Sequence, residues 1–510
     1  MRKWVWLAAA AVLAVATPSL ADTGSAMPTS SATDDTAVKA ALDTANTRFE
    51  AGDIKGAESD LTALIKDPRF HNALPETQAD VLWSLAACEN RSGASDDALK
   101  HMADARTIYP DIRGEAYWVE VAYIDRRLNR DADLGDALTA AVTSEPERVN
   151  AISGSLLFET LRRLKKLKDG DARRRQLLEA LAQAHYDPDR APTDGEALRL
   201  QLFKIYVAAG EDAKARALVP TFIAPDTVIT LRADNRYRKL VIDDPNFSDF
   251  KAVQDSYING LRSREAAGGA PVAQVLADAL MKANRLPEAL KVIDDALALG
   301  DLAPGARSEL GDQAKWLLDS RRRVLELMGR WDEVEAVQIR ARDAALKEGR
   351  DLVSQRINLA DLYNRLGRPQ DALKELSTFR PEDASIYGQM VVESVRACAY
   401  AGQGDKDRLK ASLDTLRAHK DQAPGPVTEA VVCAGDEDGA AALLIARLDD
   451  PDQRSHELFD DQDYLPAPHP TAFDQMIDDH MKHILRRPDV QAAVARYGVI
   501  ESYPAFAPDN

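Results

Sequence analysis

Cysteine is scarce in this chain. Only Cys88, Cys398 and Cys433 occur in the whole sequence, too few for a disulfide framework. Aromatic residues are also sparse at 6%, and runs alternating Val or Ile with polar residues are rare, which excludes a large sheet. Beyond the N-terminus no stretch reaches the roughly 18 consecutive apolar residues of a membrane helix. Positive charge is in deficit: 65 Lys and Arg stand against 83 Asp and Glu, a formal charge of −18. Such a chain as a whole repels nucleic acid and anionic lipid. A nucleophile elbow, a phosphate loop and a dinucleotide fingerprint are all missing. No convergent catalytic group stands out, so the chain reads as a non-enzyme that needs no cofactor.

What is plentiful is alanine and leucine, which lose little side-chain entropy in a helix. The segment 1–21 has the build of a secretory signal peptide. Arg2 and Lys3 form the positive end, an apolar run spans 5–16, and Ser19-Leu20-Ala21 supplies small side chains for cleavage before Asp22. The run is short for an uncleaved membrane anchor, the alternative reading. Asp22, not a cysteine, stands immediately after the cleavage site, which argues against a lipid anchor. Cleavage would remove two positive charges and no negative ones, taking −18 to −20. The expected location is the periplasm. Residues 22–36, rich in Ser, Thr and Asp, read as a disordered leader.

From residue 37 one unit recurs. An apolar-periodic helix ends near Gly, Asn or a charged residue, a short turn follows, and an alanine or other apolar anchor opens a second helix. The clearest copy places Leu82, Leu85 and Ala86 in its first helix. Gly93 to Ala98 makes the turn, and Met102 and Ala105 follow the anchor at four and seven positions, with Pro110 as the stop. The next has Trp118, Val121 and Ala122, then Leu134, Leu138 and Ala141, with Pro146 in the same place. The anchors are Ala57, Ala98, Leu134, Ala215, Ala289, Val334, Ala372, Leu409 and Ala440. Most neighbours in that series stand about one repeat apart. The steps from Leu134 to Ala215 and from Ala215 to Ala289 are near double, which implies degenerate pairs around 151–186 and 232–262. The turn residues Gly52, Gly210, Asn284, Gly329, Gly367, Gly404 and Gly435 suit a left-handed helix end. Tyr206, Tyr363 and Tyr400 each stand nine positions before an anchor.

This pattern resembles the tetratricopeptide (TPR) repeat, a helix pair of about 34 residues with small residues where the helices touch. The resemblance covers most of 37–450 and is strongest over 79–146 and 352–380. The family's first-helix tryptophan is matched by Trp118 alone. The resemblance implies an all-α, right-handed α-solenoid of TPR-like helix-turn-helix repeats. We place an N-terminal solenoid at 37–262, a C-terminal one at 263–450 with a hinge or long loop at 263–271, and a non-repeat C-terminal cap at 451–510. In the cap, helices are expected at 471–486 and 488–497, with Phe473, Ile477, Ile484 and Leu485 covering the last repeat. The cap's tail, from Arg487-Pro488-Asp489-Val490 to Pro504-Ala505-Phe506, loosely resembles those of other bacterial TPR proteins, a resemblance that carries no activity. With the expected export, the chain is placed in the bacterial cell envelope.

In TPR proteins the first helices line a groove for a partner. Carried over, that groove is lined here by Trp83, Asn90, Arg91, Tyr123, Arg126, Lys204, Asp361, Asn364 and Arg365. Asn and Arg near helix ends suit a peptide backbone or a carboxylate. The expected function is a scaffold or adaptor for a protein or peptide partner in assembly, secretion or polysaccharide export. The alternative is a glycan- or small-ligand-binding solenoid using Tyr464, Tyr497, Tyr503 and Phe506 as stacking surfaces. A repeat-based enzyme comes third.

Several clusters have plainer readings. His480 and His483 share a helical face, but no third ligand is evident and no metal is expected. The basic run 162–175 and Arg321-Arg322-Arg323 read as solvated helix faces, though an anionic partner is the alternative. Asp436 to Gly439 lacks the calcium-loop spacing. Cys398 and Cys433 are separated by about one repeat. A disulfide between neighbouring repeats is one reading, and two unpaired core thiols are the other.

Overall fold

The computed structural model describes residues 29–112, 114–244, 247–302, 313–347 and 353–507. The expected signal peptide, its cleavage site and the start of the leader lie outside the described residues. The protein is an all-α, TPR-like array of helix pairs, with one small pair of strands near its C-terminal end. It divides into two compact units, one ending at Ile205 and one beginning at Tyr206.

In the first unit the pairs are Thr29–Glu50 with Ile54–Leu64, Pro75–Ser92 with Ser95–Ile108, Glu115–Arg127 with Asp131–Ser144, and Gly154–Leu164 with Gly170–Gln183. The last of these is the degenerate pair implied by the spacing. The anchors explain the packing. Ala57, Ala98, Leu134, Ala215, Ala289, Val334 and Ala372 are all fully buried, because a small or slender side chain there lets two helices meet closely. Leu409 is only partly buried. The turns follow from backbone sterics. Gly52, Gly93, Gly210, Gly329, Gly367, Gly404 and Gly435 adopt φ between 69° and 104°, and Asn129, His185 and Asn284 adopt φ of 54–57°. In each the next N–H returns to a carbonyl five positions back, as from Ala94 to Glu89 at 2.8 Å and from Asp405 to Tyr400 at 3.0 Å. This closure satisfies carbonyls that the helix end would leave unpaired.

Two expectations need correction. The first helix begins at Thr29, inside the expected leader. Asp35 is buried there and accepts from the Leu74 N–H at 3.1 Å, tying the helix to the next pair. The hinge expected over 263–271 is helix instead: Phe250–Gly268 runs through it, Gly269 turns at φ 62°, and Ala270–Lys282 starts at once with Pro271 in its first turn. Proline is tolerated there because that N–H has no intrahelical partner.

The second unit continues the pairs from Ala270–Lys282 with Leu286–Leu302 to Pro424–Cys433 with Glu437–Asp449. Cys398 and Cys433 form a disulfide between two first helices, and Cys88 is a buried free thiol. The C-terminal segment folds as helices Ala472–Leu485 and Pro488–Tyr497, close to the expected limits. Ile484 is buried, and Ile477 and Leu485 pack on the core of the last repeats as expected.

The segment does more than cap one end. Strand Asp463–Leu465 pairs in parallel with strand Ser502–Phe506. Gly498 bridges Asp234, and the Val499 N–H donates to the Ala233 carbonyl at 2.9 Å. The Tyr503 and Phe250 rings meet edge-on at 4.8 Å, and Phe506 joins the core of the 258–324 helices. The second unit therefore closes on itself, its last residues packed against its first helices.

Candidate functional site

The first-helix face differs between the two units. In the first unit, Trp83 and Tyr123 project from successive first helices and are half-buried. Beside them Glu120 lies three positions before Tyr123, on the same side of the helix. Asn90 donates to Glu120 at 3.2 Å and accepts from the Ser95 hydroxyl at 3.1 Å. Arg127 donates to the Asn90 carbonyl. Burial raises the Glu120 carboxyl, opposed by the Asn90 hydrogen bond and by Arg91 and Arg127. Burial likewise raises the Tyr123 phenol. Arg126 pairs with Glu159 at 2.9 Å, and the Arg91 guanidinium lies 5.2 Å over the Phe49 ring. Lys204 is half-buried near the end of this unit. Trp83 and Tyr123, named from the spacing, both lie on first helices. The spacing did not name Glu120 and Arg127, which lie one turn before and one turn after Tyr123. Asn90 corrects the expectation, since it is buried and its side chain is spent on Glu120 and Ser95.

In the second unit the corresponding face is covered, and Asp361, Asn364 and Arg365 are not free to meet a partner. Arg365 pairs with Glu326 at 2.8 Å and with Asp474 of the 472–485 helix at 2.9 Å. Asn364 is buried and donates to the Val395 carbonyl at 2.8 Å. Asp361 is raised by burial, against the pull of Arg365. Glu429, which accepts from the Ser394 hydroxyl at 3.0 Å, is pushed up to about 7 by burial and then by Asp361. Gly329 lets the covering chain come close: a Cβ there would lie 2.9 Å from His469.

The start of the covering segment carries a second buried layer of charge. Asp234 is fully buried and held by Arg236 at 2.6 Å and the Ser455 hydroxyl at 2.8 Å. Burial alone would raise the Glu501 carboxyl, but hydrogen bonds from Arg232, Arg238 and Tyr503 hold it below its ordinary value. Glu457 and Asp460 are both pushed up to about 7 by burial, against the pull of Arg447, and burial drives Asp461 well above its ordinary value. These carboxyls lie in the packing between the 454–460 helix and its neighbours, and they serve the closure of the unit.

The remaining candidates resolve locally. Arg163 pairs with Asp131 and Glu159, Arg173 with Asp136 and Asp169, Arg174 with Asp171, and Arg175 with Glu179. Arg321, Arg322 and Arg323 pair with Asp294, Asp319 and Asp278. These arginines are therefore tied to acidic side chains around them. His480 and His483 both approach Glu437, at 3.2 and 3.5 Å. Among the described residues, no group of three or more His, Cys, Asp or Glu side chains is arranged to hold a metal ion. Asp436 caps a helix by accepting from the Gly439 N–H. Tyr503 and Phe506 are buried, the Tyr464 hydroxyl donates to the Phe459 carbonyl, and Tyr497 lies under Arg454. The four aromatics thus form no open stacking surface.

No family model and no curated protein matches the chain. Solved structures similar to it include Naa15/Naa10 bound to HypK-THB, with 14% identity over 89% of this chain and 67% of that one, at a TM-score of 0.26. The APC/C hetero-tetramer Cut9-Hcn1 shares 10% identity over 89% of each chain, at 0.27. Yeast Tom70 shares 13% identity over 91% of this chain and 99% of that one, at 0.24. At scores this low none of the three bears on this chain's partners, and its helix-pair fold is read from its own coordinates.

Proposed function

We propose that the protein is an exported scaffold of the bacterial cell envelope that holds a protein or peptide partner on the first-helix face of its first unit. The contacting residues are Trp83, Tyr123, Arg91, Arg126 and Lys204. One observation carries this reading. In the second unit, first helices already hold a stretch of polypeptide, the chain's own residues 463–506, through ion pairs such as Arg365 with Asp474 and through buried side chains such as Ile484. A surface of paired helices that accommodates one peptide segment suits another of similar chemistry. In the first unit the helices Pro75–Ser92 and Glu115–Arg127 pack against the elements near them in sequence within that unit. The N-terminal sequence supports export, with cleavage before Asp22.

The test is site-directed photo-cross-linking in a bacterium expressing the full sequence. A photoreactive residue at Tyr123 should trap a discrete partner, and the same residue at exposed Lys100 on a second helix should not. The exported chain should begin at Asp22 by mass. Equal trapping at both positions, or a chain kept in the cytosol with segment 1–21 still attached, refutes the reading.

A further inference from the structure

Within the second unit, a cavity of about 380 Å³ opens between the 331–347 helix and the 369–375 helix. Arg342, Arg356, Arg368 and Lys374 line it, against Asp343, Asp371 and Glu375. Two of the four cations are already matched. Arg342 pairs with Glu375 at 2.9 Å and Asp343 at 2.7 Å. Arg368 pairs with Glu335 and Asp371, each at 2.8 Å, and its guanidinium lies 4.4 Å over the Tyr363 ring. The other two are not. Among the described residues, the buried Arg356 Nε has no hydrogen-bond partner and no carboxylate pairs with the Lys374 ammonium. A buried guanidinium N–H without an acceptor is costly. Arg174, Arg199, Arg323 and Arg447 also leave a buried Nε unbonded, but each of those guanidiniums meets an acceptor through another nitrogen. Leu346, 59% exposed, gives the cavity an apolar wall.

We infer that this cavity is a binding site for a small oxyanion-bearing molecule, with the oxyanion between Arg356 and Lys374 and an apolar body against Leu346. A guanidinium and an ammonium serve carboxylate and phosphate alike. Four lining cations against three carboxylates leave one net positive charge, which a singly charged oxyanion balances and a doubly charged one exceeds, so the structure assigns the site to a monocarboxylate. This inference is independent of the partner-binding reading, since its residues all belong to the second unit.

Equilibrium dialysis of the full chain against benzoate, benzamide and inorganic phosphate tests it. One equivalent of benzoate should be retained, and benzamide, which lacks the charge, should not. Lys374→Gln and Arg356→Gln should each weaken benzoate retention by about tenfold or more. Lys374 is exposed, so its variant keeps the fold and the test stays decisive even where the Arg356 variant misfolds. Absent benzoate binding, or retention unchanged in Lys374→Gln, overturns the site. Tighter retention of phosphate than of benzoate overturns the monocarboxylate assignment.

Discussion

At the scale of single residues, burial and close approach decide what each side chain can do. The Cys88 thiol is buried, and burial with nearby Glu58 and Glu89 pushes it up to about 12. A thiol held protonated and away from solvent does not react. Treating the native protein with iodoacetamide at pH 8, without reductant, should label no cysteine. Denaturant should expose one, Cys88, and added reductant should bring the total to three. Native labelling at Cys398 or Cys433 contradicts the bridge between them. Gly498 makes a different prediction. Its φ of −167° is open to any residue, so strain is not the reason for glycine here. A Cβ would lie 2.3 Å from the Ala233 carbonyl oxygen and 2.7 Å from Leu458. The obstacle is backbone and cannot swing away, so Gly498→Ala should cost about 1–3 kcal/mol in urea unfolding. Gly425→Ala, where nothing stands within 4 Å, is the control and should be neutral or slightly stabilising, because alanine favours a helix over glycine.

At the scale of elements, the helix pairs were legible and the returning segment was not. A helix end that needs a left-handed residue selects glycine or asparagine, so Gly52, Gly93, Asn284 and Gly404 announce their turns in the sequence. An anchor pressed between helices must be small or slender, so Ala98 and Ala372 announce theirs. The degenerate pair ends on His185 and shows no such signal, which is why its copy was readable only as a gap. Nothing local could reveal that Glu501 pairs with Arg232 and Arg238, since those contacts join opposite ends of the second unit. The strands that carry the return, Asp463–Leu465 and Ser502–Phe506, are too short to show a period. The expected groove failed in its second half for the same reason: helical spacing names the face on which Asp361, Asn364 and Arg365 lie, but not what lies across it. The cover depends on Arg365, which links Glu326 below it to Asp474 above. Arg365→Ala leaves Asp474 without its cation in a half-buried place, while Glu326 keeps Arg322 at 2.6 Å, so the loss is about 1–3 kcal/mol. Amide hydrogen exchange over 472–485 should then quicken by at least tenfold, with the 75–127 helices unchanged. Equal exchange in variant and parent would show that the ion pair does not hold the segment.

For the whole molecule, buried carboxyls in both units point to one pH dependence. Asp125 in the first unit is raised to about 6 by burial, against the pull of Arg130, and Glu429, Glu457 and Asp460 in the second are raised to about 7. An ordinary carboxyl in the unfolded chain titrates near 4. Between these values the folded protein binds more protons than the unfolded one, so stability falls as pH rises. The stabilisation is complete below about pH 4 and is lost as pH passes through 6 to 7. Carboxyls held below their ordinary value, such as Glu501, act in the opposite sense only at lower pH. The formal charge of −18 adds self-repulsion that grows in the same direction. Urea unfolding should therefore show a more stable protein at pH 5.5 than at pH 8, by roughly 1–3 kcal/mol for each such group. Asp460→Asn separates the buried groups from the general repulsion. It changes the surface charge little but removes one titration from the layer that closes the second unit, so its stability should fall less over that range than the parent's. Parallel pH profiles for variant and parent would mean that Asp460 is already ionised in the folded protein and that the closure does not depend on its proton.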